Sequence, residues 1–308
     1  MKIAKAFAPA AISSFFEIYD TEDGEPIHDL EKVGARGGGF GIEKGVSTEV
    51  AIKEAETNSI RIFINSELSD AKTTRKVVES LLAKTTKKYA VTVKHDVAVP
   101  IGTGFGTSAG GALTAGLALK QALDLPLTWN QIGKIAHVAE IECQTGLGTV
   151  SSLASAGGCP LVIEPGAPGI CRIDQIPISS HYMVVAGFFR TNMPKTVLTD
   201  PEKKRLINLY GKKTMEAILK KPCLENFLDC CWNFAQNAGF STSNVQQLVK
   251  LAKEAGAVGA AQNMLGEAVH ALVLEESVVK VAESFKRVLP SEKVIVSKID
   301  FQGARLVA

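Results

Sequence analysis

The chain has 308 residues, of which 46% are apolar and 21% charged. That length and balance fit one large or two medium domains and exclude a disordered, collagenous or coiled-coil chain. Lys and Arg total 34 against 32 Asp and Glu, for a net charge of +2, and aromatics make up 6%. A balanced, aromatic-poor chain lacks both the field and the stacking platforms of a nucleic-acid protein.

In chain order, residues 1–19 read as a strand. Lys2 and Lys5 ahead of the apolar run from Ala6 to Phe16 imitate a signal peptide, but Pro9, Ser13 and Ser14 interrupt it, and Glu17 and Asp20 follow at once. Residues 20–45 read as a polar, turn-rich stretch ending in the glycine-rich loop 34–41. Short strands are expected at 46–54, 59–64 and 89–99, and helices at 70–85, 108–123 and 130–143. Two windows, 97–119 and 144–163, carry no charge, yet hold six and four glycines and so do not read as membrane spans. Pro165-Gly166-Ala167-Pro168-Gly169 is the expected boundary, dividing the chain into 1–168 and 169–308. Beyond it the pattern predicts a strand at 181–189, helices at 201–220, 224–238, 243–255 and 264–288 with a break, and a last strand at 292–301. Strands and helices mix in both halves, so the expected class is α+β.

The six cysteines contain no C-x-x-C pair, and the five histidines no H-x-x-x-H or H-E-x-x-H spacing. Free thiols in a reducing cytoplasm fit better than a disulfide framework or a metal cage.

The sharpest feature runs from Pro100 to Leu113, PIGTGFGTSAGGAL, between an expected strand and an Ala-rich helix. Gly102, Gly104 and Gly106 at alternate positions let the backbone take positive φ and approach a ligand closely. Thr107 and Ser108 sit where an N-cap is expected. The free N–H groups and the helix dipole behind them suit phosphate oxygens. No Lys follows, so this is not a Walker loop, and G-x-G-x-G is not the dinucleotide fingerprint. The triphosphate charge then calls for a bound Mg²⁺, which Ser108 is placed to reach. A glycine-rich hairpin before a core helix is the plain alternative; the preceding Pro, the Thr-Ser pair and the small-residue helix weigh against it.

These residues resemble the ATP-binding loop of the GHMP kinase superfamily. Ala8-Pro9-Ala10 and the stretch Gly256–Gly266, GAVGAAQNMLG, look like that superfamily's first and third motifs. Within it, the segments Ala35-Arg36-Gly37, Ala136-His137-Val138-Ala139-Glu140, Thr145-Gly146-Leu147-Gly148, the Pro165–Gly169 turn and Lys195–Pro201 resemble the archaeal pantoate kinase family. The resemblance implies a two-domain fold, with a ribosomal protein S5 domain 2-like N-terminal domain and an α/β-sandwich C-terminal domain. It implies ATP-dependent phosphorylation of the 4-hydroxyl of pantoate, a step toward coenzyme A, with ATP and Mg²⁺ as cofactors. The nucleotide set is then Pro100, Gly102, Gly104, Phe105, Gly106, Thr107, Ser108 and Ala109. Ser108 and Glu140 hold the metal and, with Thr149, form the catalytic set, while Arg36, His137 and Lys195 face the substrate. By spacing alone His137 and Glu140 would be a solvated helix face. Dimers are common among such enzymes, so a homodimer is the assembly this allows; neither nucleic acid nor membrane is an expected partner.

Three substrate-side positions depart from the family. Thr149 stands where an Asp follows Gly-Leu-Gly, Val162 where an Arg precedes the Pro-Gly turn, and Ala35 where a Ser precedes Arg-Gly. Two alternatives therefore stay open: a kinase for another small hydroxy acid, or a catalytically silent nucleotide-binding paralogue. Arg36, Arg172, Arg190 and Lys195 are the remaining candidates to pair with a carboxylate. An RNA-associated role, by fold analogy alone, ranks last.

Overall fold

A computed structural model describes residues 1–155, 157–190 and 200–308. In its first half, strands β1 (Lys2–Tyr19), β2 (Thr21–Glu22), β3 (Glu25–Pro26), β4 (Gly34–Ala55), β5 (Ser59–Ile64) and β6 (Glu67–Leu68) precede helix α1 (Lys72–Leu82). Strand β7 (Lys88–Val97), helices α2 (Thr107–Leu123), α3 (Trp129–Glu142) and α4 (Thr149–Ser155), and strands β8 (Cys159–Glu164) and β9 (Arg172–Ile176) follow. The second half has β10 (Tyr182–Arg190), α5 (Pro201–Lys220), α6 (Leu224–Asn237), α7 (Ser243–Glu254), β11 (Gly259–Gln262), β12 (Glu267–Leu274), α8 (Val278–Lys286), β13 (Val294–Lys298) and β14 (Arg305–Val307). The architecture is α+β.

The first sheet runs β14-β1-β4-β7-β5-β6, with β8 on β4 and β9 on β8. Its spine is the long antiparallel pair of β1 and β4. The lower part of β4, from Val46 to Ala55, pairs with β7, whereas Gly37 and Gly38 higher up pair with β8. The strand therefore changes neighbour along its length. Both β8 and β9, on either side of the 165–169 turn, belong to this sheet.

The glycine-rich stretch 34–41 is a strand and not the expected loop. A Cβ on Gly39 would overlap the Ile12 carbonyl, and one on Gly37 would meet the Phe15 carbonyl at 2.5 Å. Glycines there serve close backbone approach within a sheet, a use that the turn signal does not distinguish.

The second sheet runs β11-β12-β10-β13, all antiparallel. Along β10, Val184 and Ala186 face a core shared with β1, β4, α5 and α6, while Val185 faces α7 and α8. This period-two alternation buries both faces. The helix expected over 264–288 is helical only from Val278, because Glu267–Leu274 is β12, buried at every position but the last. A continuous apolar run has no period to read, so helix and strand look alike. The helix α4 and the strands β8 and β9 were not anticipated.

A cluster of edge-on phenylalanines joins the two layers. Phe227 of α6 lies 6.2 Å from Phe15 and 5.4 Å from Phe40, with both rings near perpendicular to it. No helix among the described residues is long and apolar enough to cross a membrane. Of the six cysteines, all free, only Cys159 and Cys231 are fully buried.

Candidate active site

A cavity of about 520 Å³ opens where the upper part of β1 and β4, the loop before α2, residues 144–149 and the turn between β11 and β12 meet. Gly102, Gly104 and Gly106 all take positive φ, at 80°, 80° and 63°. Gly106 is itself the N-cap of α2, and no side chain caps that helix. Thr107 and Ser108 are therefore the first helical residues and not the cap expected from sequence. The first N–H groups of α2 have no side-chain acceptor, at the positive end of a 17-residue helix that points into the cavity.

Neighbours hold this loop at backbone distance. Ala11 donates its N–H to the Phe105 carbonyl at 3.0 Å, and the Thr103 hydroxyl donates to the Pro100 carbonyl at 2.9 Å. A Cβ on Gly104 would lie 2.6 Å from the Met264 carbonyl. The turn carrying Met264 is tied in turn to β1, through its N–H on the Ser13 carbonyl at 2.8 Å. Asn263 donates to the Thr103 carbonyl at 3.4 Å and accepts from His270 Nδ1 at 2.9 Å, and Ser14 donates to Nε2 of that ring at 2.9 Å. Pro100 and Ala109 shape the loop without lining the cavity.

Glu140 is 3% exposed on α3 and makes no ion pair among the described residues. Thr145 donates to its Oε1 at 2.8 Å, and Thr145 and Thr73 share a hydroxyl hydrogen bond of 2.9 Å. Ser108 reaches the same cluster, donating to Thr73 at 3.4 Å. Burial pushes the Glu140 carboxyl above its usual range, while the Ser108 and Thr145 hydroxyls pull the other way. A carboxylate out of water with no cation beside it is costly. Its surroundings are hydroxyl oxygens, so the donor set is hard, and it fits a divalent cation that keeps several waters. Sequence singles out Thr145 only as part of the Thr145–Gly148 segment, with no role of its own, and does not single out Thr73; a lone Thr carries no signal until the fold brings it beside a carboxylate.

The other expected residues divide. Arg36 lines the cavity and is the one charged side chain among the described lining residues. It stands opposite Glu17 in the β1–β4 register, with Nη1 donating to Glu17 Oε2 at 3.2 Å. Thr149 lines the cavity at the start of α4, against the loop at Gly106. Val162 and Ala35 line it too, and Val162 pairs with Gly37 beside Arg36. His137 does not reach the cavity. It is buried and donates from Nε2 to the Val33 carbonyl at 2.8 Å, and burial lowers its pKa. It pins the chain entering β4, so neither it nor Glu140 is the solvated face that spacing allowed. Arg172 pairs with Glu164 at the surface, and Arg190 lies largely exposed beside Glu267. Lys195 lies outside the described residues.

The model of the GHMP kinases N terminal domain matches residues 72–157. The pantoate kinase of Methanocaldococcus jannaschii is 30% identical over 277 residues, covering 88% of this chain and 93% of that protein. The pantoate kinase of Thermococcus kodakarensis is 31% identical, over 93% of this chain and 92% of its own length. A solved phosphotransferase related to the CoA biosynthesis pathway superposes with a TM-score of 0.85 at 28% identity, covering 99% of this chain and 98% of that one.

Proposed function

As the chain belongs to the GHMP kinase superfamily, we propose that it transfers the γ-phosphoryl group of ATP to the 4-hydroxyl of pantoate, with the cytoplasm as its compartment. The observation that carries this reading is the uncapped N-terminus of α2 on three positive-φ glycines, beside a buried carboxylate that has no cation partner among the described residues. The N–H groups from Gly102 to Ser108 orient the phosphate oxygens. Ser108 and Glu140 are the residues that would hold magnesium. When bound, magnesium offsets charge on the transferring group. Thr149 accepts a hydrogen bond from the attacking hydroxyl and orients it. Arg36 takes the acceptor carboxylate in charge-assisted hydrogen bonds.

No Asp or Glu is among the described lining residues. Phosphoryl transfer through a loose transition state needs little activation of the nucleophile. The hydroxyl proton therefore leaves late, to a phosphoryl oxygen, as the new O–P bond forms and the bond to ADP breaks.

The test is ADP release with ATP, Mg²⁺ and pantoate, with phosphorus NMR identifying a phosphomonoester on the C4 oxygen. Val162 in place of a cation favours one second reading, a different small hydroxy acid as acceptor. Turnover with such an acid and none with pantoate would select it. No turnover with any acid, with nucleotide still bound, would leave a silent nucleotide-binding protein.

A further inference from the structure

We propose that Glu17 is a specificity-determining and positioning residue, which sets Arg36 to receive one singly charged carboxylate and to reject a doubly charged group at that end of the acceptor. This rests on the reading of Arg36 as the carboxylate partner. A guanidinium offers two forked edges, one formed by Nη1 and Nη2 and a side-on edge formed by Nε and Nη2. Glu17 holds Nη1 at 3.2 Å, while Nε is buried and has no hydrogen-bond partner among the described residues. A buried, unpaired guanidinium N–H is costly unless a ligand satisfies it. Arg36 lines the cavity, so the part of its guanidinium that Glu17 does not hold is what remains for a planar carboxylate, and Glu17 fixes its direction.

The same pair sets the charge. Arg36 and Glu17 sum to zero, and the side chains are only 18% and 9% exposed. From α5, Lys212 and Glu216 also face Glu17 with opposite signs. The backbone of α5 closes over it at Gly211, where an added Cβ would lie 2.9 Å from the Glu17 Cβ. Water screens the pair only weakly, and a second negative charge on the ligand would be repelled by the Glu17 carboxylate behind Arg36, with no second cation among the described lining residues to offset it. A carboxylate with an apolar body suits the walls nearby, where Phe15, Phe16 and Val162 line the cavity.

The test compares binding of pantoate with that of its phosphonate analogue, by calorimetry at alkaline pH where the phosphonate carries a second charge. The parent protein is expected to favour pantoate. Glu17→Gln, which keeps shape and removes charge, is expected to narrow that preference by about tenfold. Glu17→Asp, which restores the charge, is expected to restore the preference. Arg36→Lys, which keeps charge and loses the fork, should weaken both ligands. An unchanged preference in Glu17→Gln, with Arg36→Lys weakening both ligands, overturns the proposal and leaves Arg36 as the carboxylate partner. Unchanged affinities in Arg36→Lys overturn the reading of Arg36 and the proposal with it. Melting curves of each variant separate these outcomes from misfolding.

Discussion

Gly146 lies so close to Glu140 that a methyl group on its Cα would overlap the carboxylate oxygen Oε2. Gly146 is not among the positive-φ residues, so its missing side chain answers to space and not to backbone conformation. The segment Thr145-Gly146 both donates to one carboxylate oxygen and makes room for the other. Gly146→Ala should therefore displace Glu140 without straining the chain. We expect a fall of about 100-fold in kcat/KM for a misplacement on the ångström scale. Steady-state kinetics at saturating magnesium, with a melting curve close to that of the parent, would check it.

Glu140 itself should show opposite effects on stability and on activity. It is an ionisable group almost wholly buried with no cation beside it among the described residues, and burial raises its pKa. Glu140→Gln removes that desolvated charge while keeping the shape and an acceptor for Thr145. The ligand-free variant should gain about 1 kcal/mol or more in stability, and it should lose the added stabilisation that Mg²⁺ with a nucleotide confers on the parent. Thermal unfolding with and without Mg²⁺ and a non-hydrolysable ATP analogue measures both. A less stable ligand-free variant would contradict the prediction.

Three buried histidines, His95, His137 and His270, give the stability a pH dependence, each with its pKa lowered by burial. Burial lowers His95 to about 4 and His270 to about 3, from 6.5 for a free imidazole. Between those values the unfolded chain binds protons that the fold does not. Each neutral ring therefore contributes stability that is present above the unfolded pKa. That stability is lost as the pH falls, at about 1.4 kcal/mol per unit for each group. The loss ends near pH 4 for His95 and near pH 3 for His270. Denaturant midpoints across this range should fall, and should fall less steeply in His95→Gln. Comparing variant with parent isolates the imidazole, because Glu140, held above its usual range, shifts stability in the other sense.

Phe227 joins α6 to both long strands through Phe15 and Phe40 and has no exposed surface. Phe227→Ala opens a cavity between the two layers, where β1, β4 and α6 cannot collapse independently. A loss of about 3–5 kcal/mol is expected in urea unfolding. A loss below about 1 kcal/mol would show that the layers are held together elsewhere.

Sequence by itself determined most of the helices and the nucleotide side of the site. The helices α1, α2, α3, α5, α6 and α7 carry a local period or composition, and the Pro100–Leu113 stretch announces a backbone-built anion site through its own glycines. Tertiary structure alone decided the rest, because the deciding forces act between residues far apart in the chain. The glycines of β4 became a strand through contact with β1, and Glu267–Leu274 became β12 by being buried on both faces. His137 was drawn to the Val33 carbonyl and away from the cavity. Glu17 met Arg36 across the β1–β4 pair, Thr73 met Thr145 from 72 residues away, and His270 met Ser14 from 256 residues away, once strands and helices packed together and excluded water. Local pattern records a residue's neighbours in sequence; charge, desolvation and reach depend on its neighbours in space.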